Sequence, residues 1–171
     1  HNAEALMRQK VNDKNIAPDI FIPLAERVGC IHALTRIILN KVCKKIYDIQ
    51  DYYIFDAVSV NVSLSEFTDY SLYDELIEII NFNCVPYNKI RLELTESMTS
   101  DEVDAINYNM EAFDAKGVHF YLDDFGTGYS NLERIVSLPF KTIKFDKSLL
   151  YKSMDDPIFL RLIQNMVDVF K

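Results

Sequence analysis

The stretch Ala57–Val62 reads AVSVNV, and its β-branched residues predict a buried strand. Outward from it, four further strands are predicted at Ala3–Met7, Ile90–Leu94, His119–Leu122 and Thr142–Phe145. Apolar residues at helical spacing lie between the strands, for example Leu34, Ile38, Val42 and Ile46. This alternation predicts a parallel α/β fold, either a barrel or an open doubly wound sheet.

Helix boundaries are indicated by polar residues at capping-box spacing. Ser63 with Glu66 and Thr99 with Glu102 fit this pattern, and the helix after Thr99 is expected to end at Gly117. A short helix is predicted near Asn131–Leu138. A last helical face is formed by Leu160, Ile163, Val167 and Phe170.

The composition indicates one globular domain. Of 171 residues, 49% are hydrophobic and 26% are charged, and 18 Lys and Arg against 26 Asp and Glu give a net charge of −8. Such an acidic surface disfavours binding to a nucleic-acid polymer. The pattern of a signal peptide is not seen, apolar runs are shorter than a membrane span, and Cys30, Cys43 and Cys84 fit buried reduced thiols. We therefore expect a cytoplasmic location.

Polar side chains fall at the carboxyl ends of the predicted strands: Asn61, Glu93, Asp123 with Asp124, and Asp146; with Glu4 they form a set of oxygen ligands. In a barrel these ends converge on one mouth, whereas an open sheet spreads them along a line, so the barrel is favoured. Carboxylate and amide oxygens suit Mg²⁺ or Mn²⁺, and two such ions could act together on a phosphate. Lys144 lies two residues before Asp146, hence on the same strand face, and could orient a water or hold a phosphate oxygen.

The most specific local stretch is Asp123–Leu132, which reads DDFGTGYSNL. Gly126 and Gly128 permit a tight backbone path, and Phe125 and Tyr129 are expected to supply aromatic surface. Because the two aspartates begin it, we expect this loop to be tied to the metal site.

Seven motifs occur in order along the chain: EAL at Glu4–Leu6, Arg8, FIPLAE at Phe21–Glu26, NVS at Asn61–Ser63, ELTES at Glu93–Ser97, DDFGTGYSNL at Asp123–Leu132 and KFD at Lys144–Asp146. Together they resemble the EAL domain family, bacterial phosphodiesterases that open cyclic di-GMP to the linear dinucleotide pGpG. The resemblance implies a modified (β/α)8 barrel and a site with two Mg²⁺ or Mn²⁺ ions.

The resemblance also implies roles for individual residues. Glu4, Asn61, Glu93 and Asp123 would bind the first metal, and Asp123, Asp124 and Asp146 the second. Lys144 would contact the attacking water, Glu96 would support the glycine-containing loop, and Asp124 would take part in catalysis. Leu6 and Arg8 look like contacts to cyclic di-GMP. The loop residues Phe125, Gly126, Thr127, Gly128, Tyr129 and Ser130, with the helix after them, would form a homodimer interface.

Some family features are not found. Gln9 stands where the family usually has Trp, and neither the Y-Q-P-I strand nor the A-E-G-V-E and Q-G-Y-F segments are seen. A full barrel takes about 250 residues. We therefore expect residues 1–171 to be one EAL-type domain truncated at both ends, with about five βα units and poor activity alone. Relatives suggest a parent with diguanylate cyclase-like or sensor domains, which could be anchored at the inner face of the membrane.

Two functions of different class stay open from the sequence. The first is a metal-dependent phosphodiesterase, which the intact motif residues favour. The second is a catalytically inactive EAL module that acts as a cyclic di-GMP receptor or binds a partner protein.

Overall fold

The strand Ala57–Asn61 belongs to the main sheet, and its side chains point alternately to the two faces of that sheet. In the computed structural model, which describes residues 1–95, 103–126 and 132–170 apart from the side chain of Arg134, this strand is β4. Val60 is fully buried against the helical layer, while Asn61 on the opposite face is partly exposed. Val58, Val60 and Val62 therefore lie on the face covered by helices. Asn61 and Ser59, itself only 4% exposed, lie on the opposite, open face.

Five parallel strands form one sheet in the order β1-β4-β5-β6-β7. They are β1 Asn2–Ala5, β4 Ala57–Asn61, β5 Ile90–Thr95, β6 His119–Phe125 and β7 Phe140–Phe145. A separate antiparallel hairpin follows β1 and consists of β2 Gln9–Val11 and β3 Lys14–Ile16. With helices between its strands, this sheet has the architecture of an incomplete (β/α)8 barrel, as predicted.

Seven helices connect and cover these strands within the described residues: α1 Pro18–Arg27, α2 Ile31–Ile49, α3 Leu72–Phe82, α4 Val103–Lys116, α5 Leu132–Ser137, α6 Lys147–Asp155 and α7 Pro157–Val169. Short 3-10 helices occupy Leu64–Thr68 and Tyr87–Lys89. No described helix combines the length and the apolar character that crossing a bilayer requires. The cytoplasmic location stays a prediction.

The main core lies between the sheet and helices α2, α3 and α4. Its fully buried members include Leu39 of α2, Ile80 of α3, Leu92 of β5, Phe113 of α4 and Phe120 of β6. Burying a side chain of this size contributes roughly 1.5–3 kcal/mol. Since β4, β5 and β6 send every second side chain into this core, their other side chains must face the opposite side of the sheet.

A second, smaller core forms beside β6 and β7. Phe125 packs edge-on against Phe145 and Phe170, with ring centroids 5.4 and 5.6 Å apart. Leu149 and Ile163 bring α6 and α7 into the same cluster. The prediction that Phe125 supplies aromatic surface is therefore wrong, because this side chain is only 1% exposed and lies inside β6.

The structure differs from the sequence predictions at several other points. The hairpin was not predicted, and the last helical region contains two helices, α6 and α7, with Leu160 of α7 45% exposed. The Ser63–Glu66 capping box is present but begins a 3-10 helix, while Thr99 and Glu102 lie outside the described residues. Cys43 is buried as expected, whereas Cys30 and Cys84 are exposed.

Replacing Gly126 by alanine is expected to destabilise the protein more than replacing Gly117. Both glycines have positive φ, 97° and 92°, so both alanine variants share a backbone penalty of about 1–3 kcal/mol. A Cβ at Gly126 would lie 2.0 Å from Leu149 Cδ1, whereas no described atom lies within 4 Å of one at Gly117. Urea unfolding of both variants measures the difference, and equal losses would contradict it.

Candidate active site

The register of the parallel strands brings polar side chains together on the open face of the sheet. Asn61 of β4 is paired with Glu93 of β5, and Thr95 at the end of β5 is paired with Asp123 of β6. On the other side of β4, Glu4 of β1 is paired with Ser59. Residues two apart on a strand share a face, so this register places Glu4, Asn61, Glu93 and Asp123 along one edge.

Three carboxylates of this edge come close enough to share one ion. Glu4, Glu93 and Asp123 each offer a carboxylate oxygen, and these oxygens all lie within 4.8 Å of one another. Asn61 joins them, because its Nδ2 donates to Glu4 Oε1 at 2.9 Å. Of the six residues that the sequence indicated as metal ligands, the structure thus collects four in one cluster.

Lys144 of β7 places a positively charged side chain beside these carboxylates. Its Nζ donates to Glu93 Oε1 at 2.6 Å and to Asp123 Oδ2 at 3.5 Å. Partial burial opposes its charge, but the hydrogen bond and the charge of Glu93, with the charge of Asp123, outweigh that effect and raise the pKa of Lys144. The ammonium form is therefore held in place, so Lys144 can donate hydrogen bonds but is a poor general base.

One carboxylate oxygen of Glu93 is buried and makes no hydrogen bond to any described residue. The Glu93 side chain is 1% exposed, and Oε2 is buried without a hydrogen-bond partner among the residues that the structure describes. An unpaired buried carboxylate oxygen is costly. Together with the oxygen-only character of the cluster, this atom fits a hard cation such as Mg²⁺ or Mn²⁺.

Asp124 departs from regular strand geometry. Its φ is 53°, and the register between β6 and β7 shifts between Leu122 and Phe125. Its backbone N–H donates to Asp123 Oδ1 at 3.0 Å. Burial and the nearby charges of Asp123 and Asp146 raise the pKa of the Asp124 carboxyl. The two adjacent aspartates therefore both belong to the acidic end of the sheet.

Asp146 has a structural contact of its own. It follows β7 directly and caps α6, its Oδ1 accepting a hydrogen bond from Ser148 N at 2.8 Å. That hydrogen bonding lowers the pKa of the Asp146 carboxyl. It lies near enough to affect Asp124, but it is not part of the three-carboxylate cluster.

The remaining predicted residues are placed as follows. Leu6 is 52% exposed, and the exposed Arg8 donates to the backbone oxygen of Met7 at 2.8 Å. Both follow β1, beyond Glu4. Glu96, Thr127, Gly128, Tyr129 and Ser130 lie outside the described residues. Gly126, which the structure does describe, forms the turn after β6.

A buried carboxylate behind the site was underestimated from the sequence. Glu66 is fully buried, accepts hydrogen bonds from Ser63 N and Thr35 Oγ1, and lies 3.7 Å from His32 Nδ1. Burial raises the pKa of its carboxyl, and the hydrogen bonds from Ser63 and Thr35 act in the opposite direction. The capping-box spacing found Glu66 but indicated only a helix start, because Thr35 is distant in sequence.

The fold and this cluster together define a domain of the EAL family. The EAL domain model matches residues 1–171, and the chain belongs to this family. EAL domains are generally dependent on divalent metals, and the acidic cluster described above has the ligand chemistry for one. The prediction of family and fold is confirmed.

Individual relatives fit this assignment. The oxygen sensor protein DosP of Escherichia coli is 30% identical over 156 residues, which cover 91% of this chain and 20% of that protein. The cyclic di-GMP phosphodiesterase PdeR of Escherichia coli is 29% identical over 167 residues, covering 97% of this chain and 25% of PdeR. The chain thus spans a fifth to a quarter of the length of these relatives.

A solved structure supports the same fold. The PaMucR phosphodiesterase in a c-di-GMP complex superposes with a TM-score of 0.84 at 28% identity, covering 97% of this chain and 68% of that one. The chain is therefore related to cyclic di-GMP phosphodiesterases in both sequence and structure.

Replacing Lys144 by methionine is expected to destabilise the metal-free protein by about 1.5–3 kcal/mol, the range for a hydrogen bond to a charged group. The variant leaves the buried Glu93 carboxylate without its ammonium partner. Adding Glu93→Gln to this variant removes the stranded charge and should recover part of the loss. Urea unfolding in EDTA measures both effects. A Lys144→Met protein as stable as wild type would contradict the role given to the pair.

Proposed function

We propose that the whole protein to which this chain belongs hydrolyses a phosphodiester bond of cyclic di-GMP and yields linear pGpG, and that residues 1–171 alone do so only poorly. The observation that carries the proposal is the cluster of Glu4, Glu93 and Asp123 with Lys144 at its side. Such an arrangement pairs a cation-binding carboxylate set with a fixed hydrogen-bond donor. The relatives named as cyclic di-GMP phosphodiesterases supply the substrate class.

Two divalent cations, Mg²⁺ or Mn²⁺, are part of the proposal. Glu4, Asn61, Glu93 and Asp123 would hold the first, with Glu93 Oε2, which has no hydrogen-bond partner among the described residues, as a ligand atom. Asp123, Asp124 and Asp146 would hold the second, for which Asp146 would have to share its helix-capping carboxylate. When bound, such ions neutralise the carboxylates, lower the pKa of a water and polarise a phosphate.

The side chains of this chain would orient the reactants around that site. Lys144, held as an ammonium between Glu93 and Asp123, would donate to the attacking water or to a phosphate oxygen. Leu6 and Arg8, both exposed beyond β1, would contact the dinucleotide, with Arg8 offering a guanidinium to a phosphate or a guanine edge. Glu96 would support the loop that follows Asp124.

Association and context form a further part of the proposal. A homodimer would use the loop from Phe125 to Ser130 together with α5, which exposes Leu132 and Val136 by 42% and 59%. Because Phe125 is buried, it would support this interface from within the core rather than contact the partner. The whole protein would carry sensor or diguanylate cyclase-like domains. This part of the proposal is supported by the relatives, of which the chain spans only a fifth to a quarter.

Metal dependence gives a direct test of the reaction. With Mg²⁺ or Mn²⁺ the protein is expected to produce pGpG, whereas Ca²⁺ should not support turnover, because its longer and more variable coordination does not impose octahedral geometry. Product formation is followed by chromatography after EDTA treatment and addition of each ion. Equal turnover in Ca²⁺ would contradict the proposed site.

Substitution of the ligand set tests the residues. Glu4→Ala, Asp123→Ala and Lys144→Ala should each lower turnover by at least the roughly 10²–10⁴-fold that loss of a catalytic proton-transfer group costs. Glu78→Ala, on the outer surface of α3, is the matched control and should retain wild-type turnover. Circular dichroism checks the fold of each variant. If Asp123→Ala keeps more than about a tenth of wild-type activity, Asp123 is not an essential metal ligand.

A further inference from the structure

Ser63, two residues beyond Asn61, is anchored by carboxylates from two directions. Its backbone N–H donates to Glu66 Oε2 at 2.9 Å, and its hydroxyl donates to Glu26 Oε1 at 2.6 Å. Glu26 belongs to α1, while Glu66 lies in the 3-10 helix that begins directly after Ser63. Val62 N still donates to Glu93 O of the neighbouring strand at 2.9 Å, so Ser63 is the first residue after β4 without such a bond in the described part of the chain. The two carboxylates therefore fix the backbone at the point where it leaves the sheet.

Glu66 is in turn held by α2. Thr35 Oγ1, in a residue only 1% exposed, donates to Glu66 Oε2 at 3.0 Å, and His32 Nδ1 lies 3.7 Å from Oε1. No hydrogen-bond partner of Oε1 is found in the described part of the chain. The Glu66 carboxylate therefore links Ser63, after the end of β4, to Thr35 of α2.

Glu66 combines a buried carboxylate with a fixed position for Ser63, two residues beyond the end of β4. Burying a carboxylate is expensive, and an apolar side chain of similar volume often gives an equally stable or more stable protein. What the carboxylate gains is a fixed position for Ser63. That position matters for Asn61, because Asn61 must present its amide to Glu4 Oε1 across the strand gap, at 2.9 Å.

We propose that Glu66 is a positioning residue for the candidate metal site: through Ser63 it fixes the end of β4, and with it the Asn61 amide and the Glu4 carboxylate. The inference rests on the proposed function, in which Asn61 and Glu4 are metal ligands. Residues that orient metal ligands typically change metal affinity or activity about 10–100-fold when they are removed.

The test measures Mn²⁺ affinity by electron paramagnetic resonance, which needs no turnover. Glu66→Ala should weaken Mn²⁺ binding about tenfold or more. Glu66→Gln keeps an oxygen that accepts from Ser63 N and Thr35 Oγ1, so it should retain most of the affinity. Glu75→Ala is the matched control: Glu75 pairs with Arg36 on the outer surface at 3.2 Å and should have no effect.

Two further variants keep the test decisive if Glu66→Ala does not fold. Ser63→Ala removes the hydroxyl bonded to Glu26 but keeps the backbone N–H, and Thr35→Val removes the hydroxyl bonded to Glu66. Both should weaken Mn²⁺ binding in a protein with unchanged circular dichroism. Wild-type affinity in both of them, or in a folded Glu66→Ala, would overturn the inference.

The proposed function fails in a different way. If the wild-type protein does not bind Mn²⁺, the metal site itself is wrong and this inference falls with it. If wild type binds Mn²⁺ and hydrolyses cyclic di-GMP while Glu66→Ala and Glu66→Gln lose affinity equally, only the positioning role is refuted, because the retained acceptor then has no effect.

Discussion

The Lys144–Glu93 contact is the interaction on which the open face of the sheet depends. Glu93 is almost fully buried in a central strand, and a buried carboxylate requires a partner. Lys144 supplies one at 2.6 Å and reaches Asp123 as well. Three clustered carboxylates against one ammonium leave an excess of negative charge, so the same packing that fixes Lys144 also prepares the face for cations.

The parallel sheet made this face predictable from the sequence. Short apolar stretches between helical patterns identify the strands, and parallel strands present their carboxyl ends at one edge, so Asn61, Glu93 and Asp123 had to lie close together. The sequence does not reveal how far apart the side-chain oxygens of these residues lie. Asn61, Glu93 and Asp123 lie within their strands, whereas Asp146 follows β7, and its carboxylate caps α6 because a helix begins immediately after β7.

Other features escaped prediction for physical reasons. The hairpin of β2 and β3 is short and mostly exposed, so it has no apolar periodicity, although Asn12 and Asp13 with φ of 48° and 61° are typical of a tight hairpin turn. Phe125 looked like a loop residue because glycine follows it, but β6 continues to this position and buries the ring. The anchoring of Glu66 by Thr35 joins residues 31 positions apart, which local spacing does not reveal.

The left-handed backbone at Asp124 limits which substitutions this position tolerates without strain. In a regular strand two consecutive side chains point to opposite faces, and the positive φ of Asp124 with the register shift beside β7 departs from that alternation. Asparagine and aspartate adopt this conformation far more readily than alanine does. An alanine scan would therefore mix conformational strain with the loss of the carboxylate, whereas asparagine keeps the side-chain shape and the backbone preference and replaces one charged acceptor oxygen by an NH2 donor.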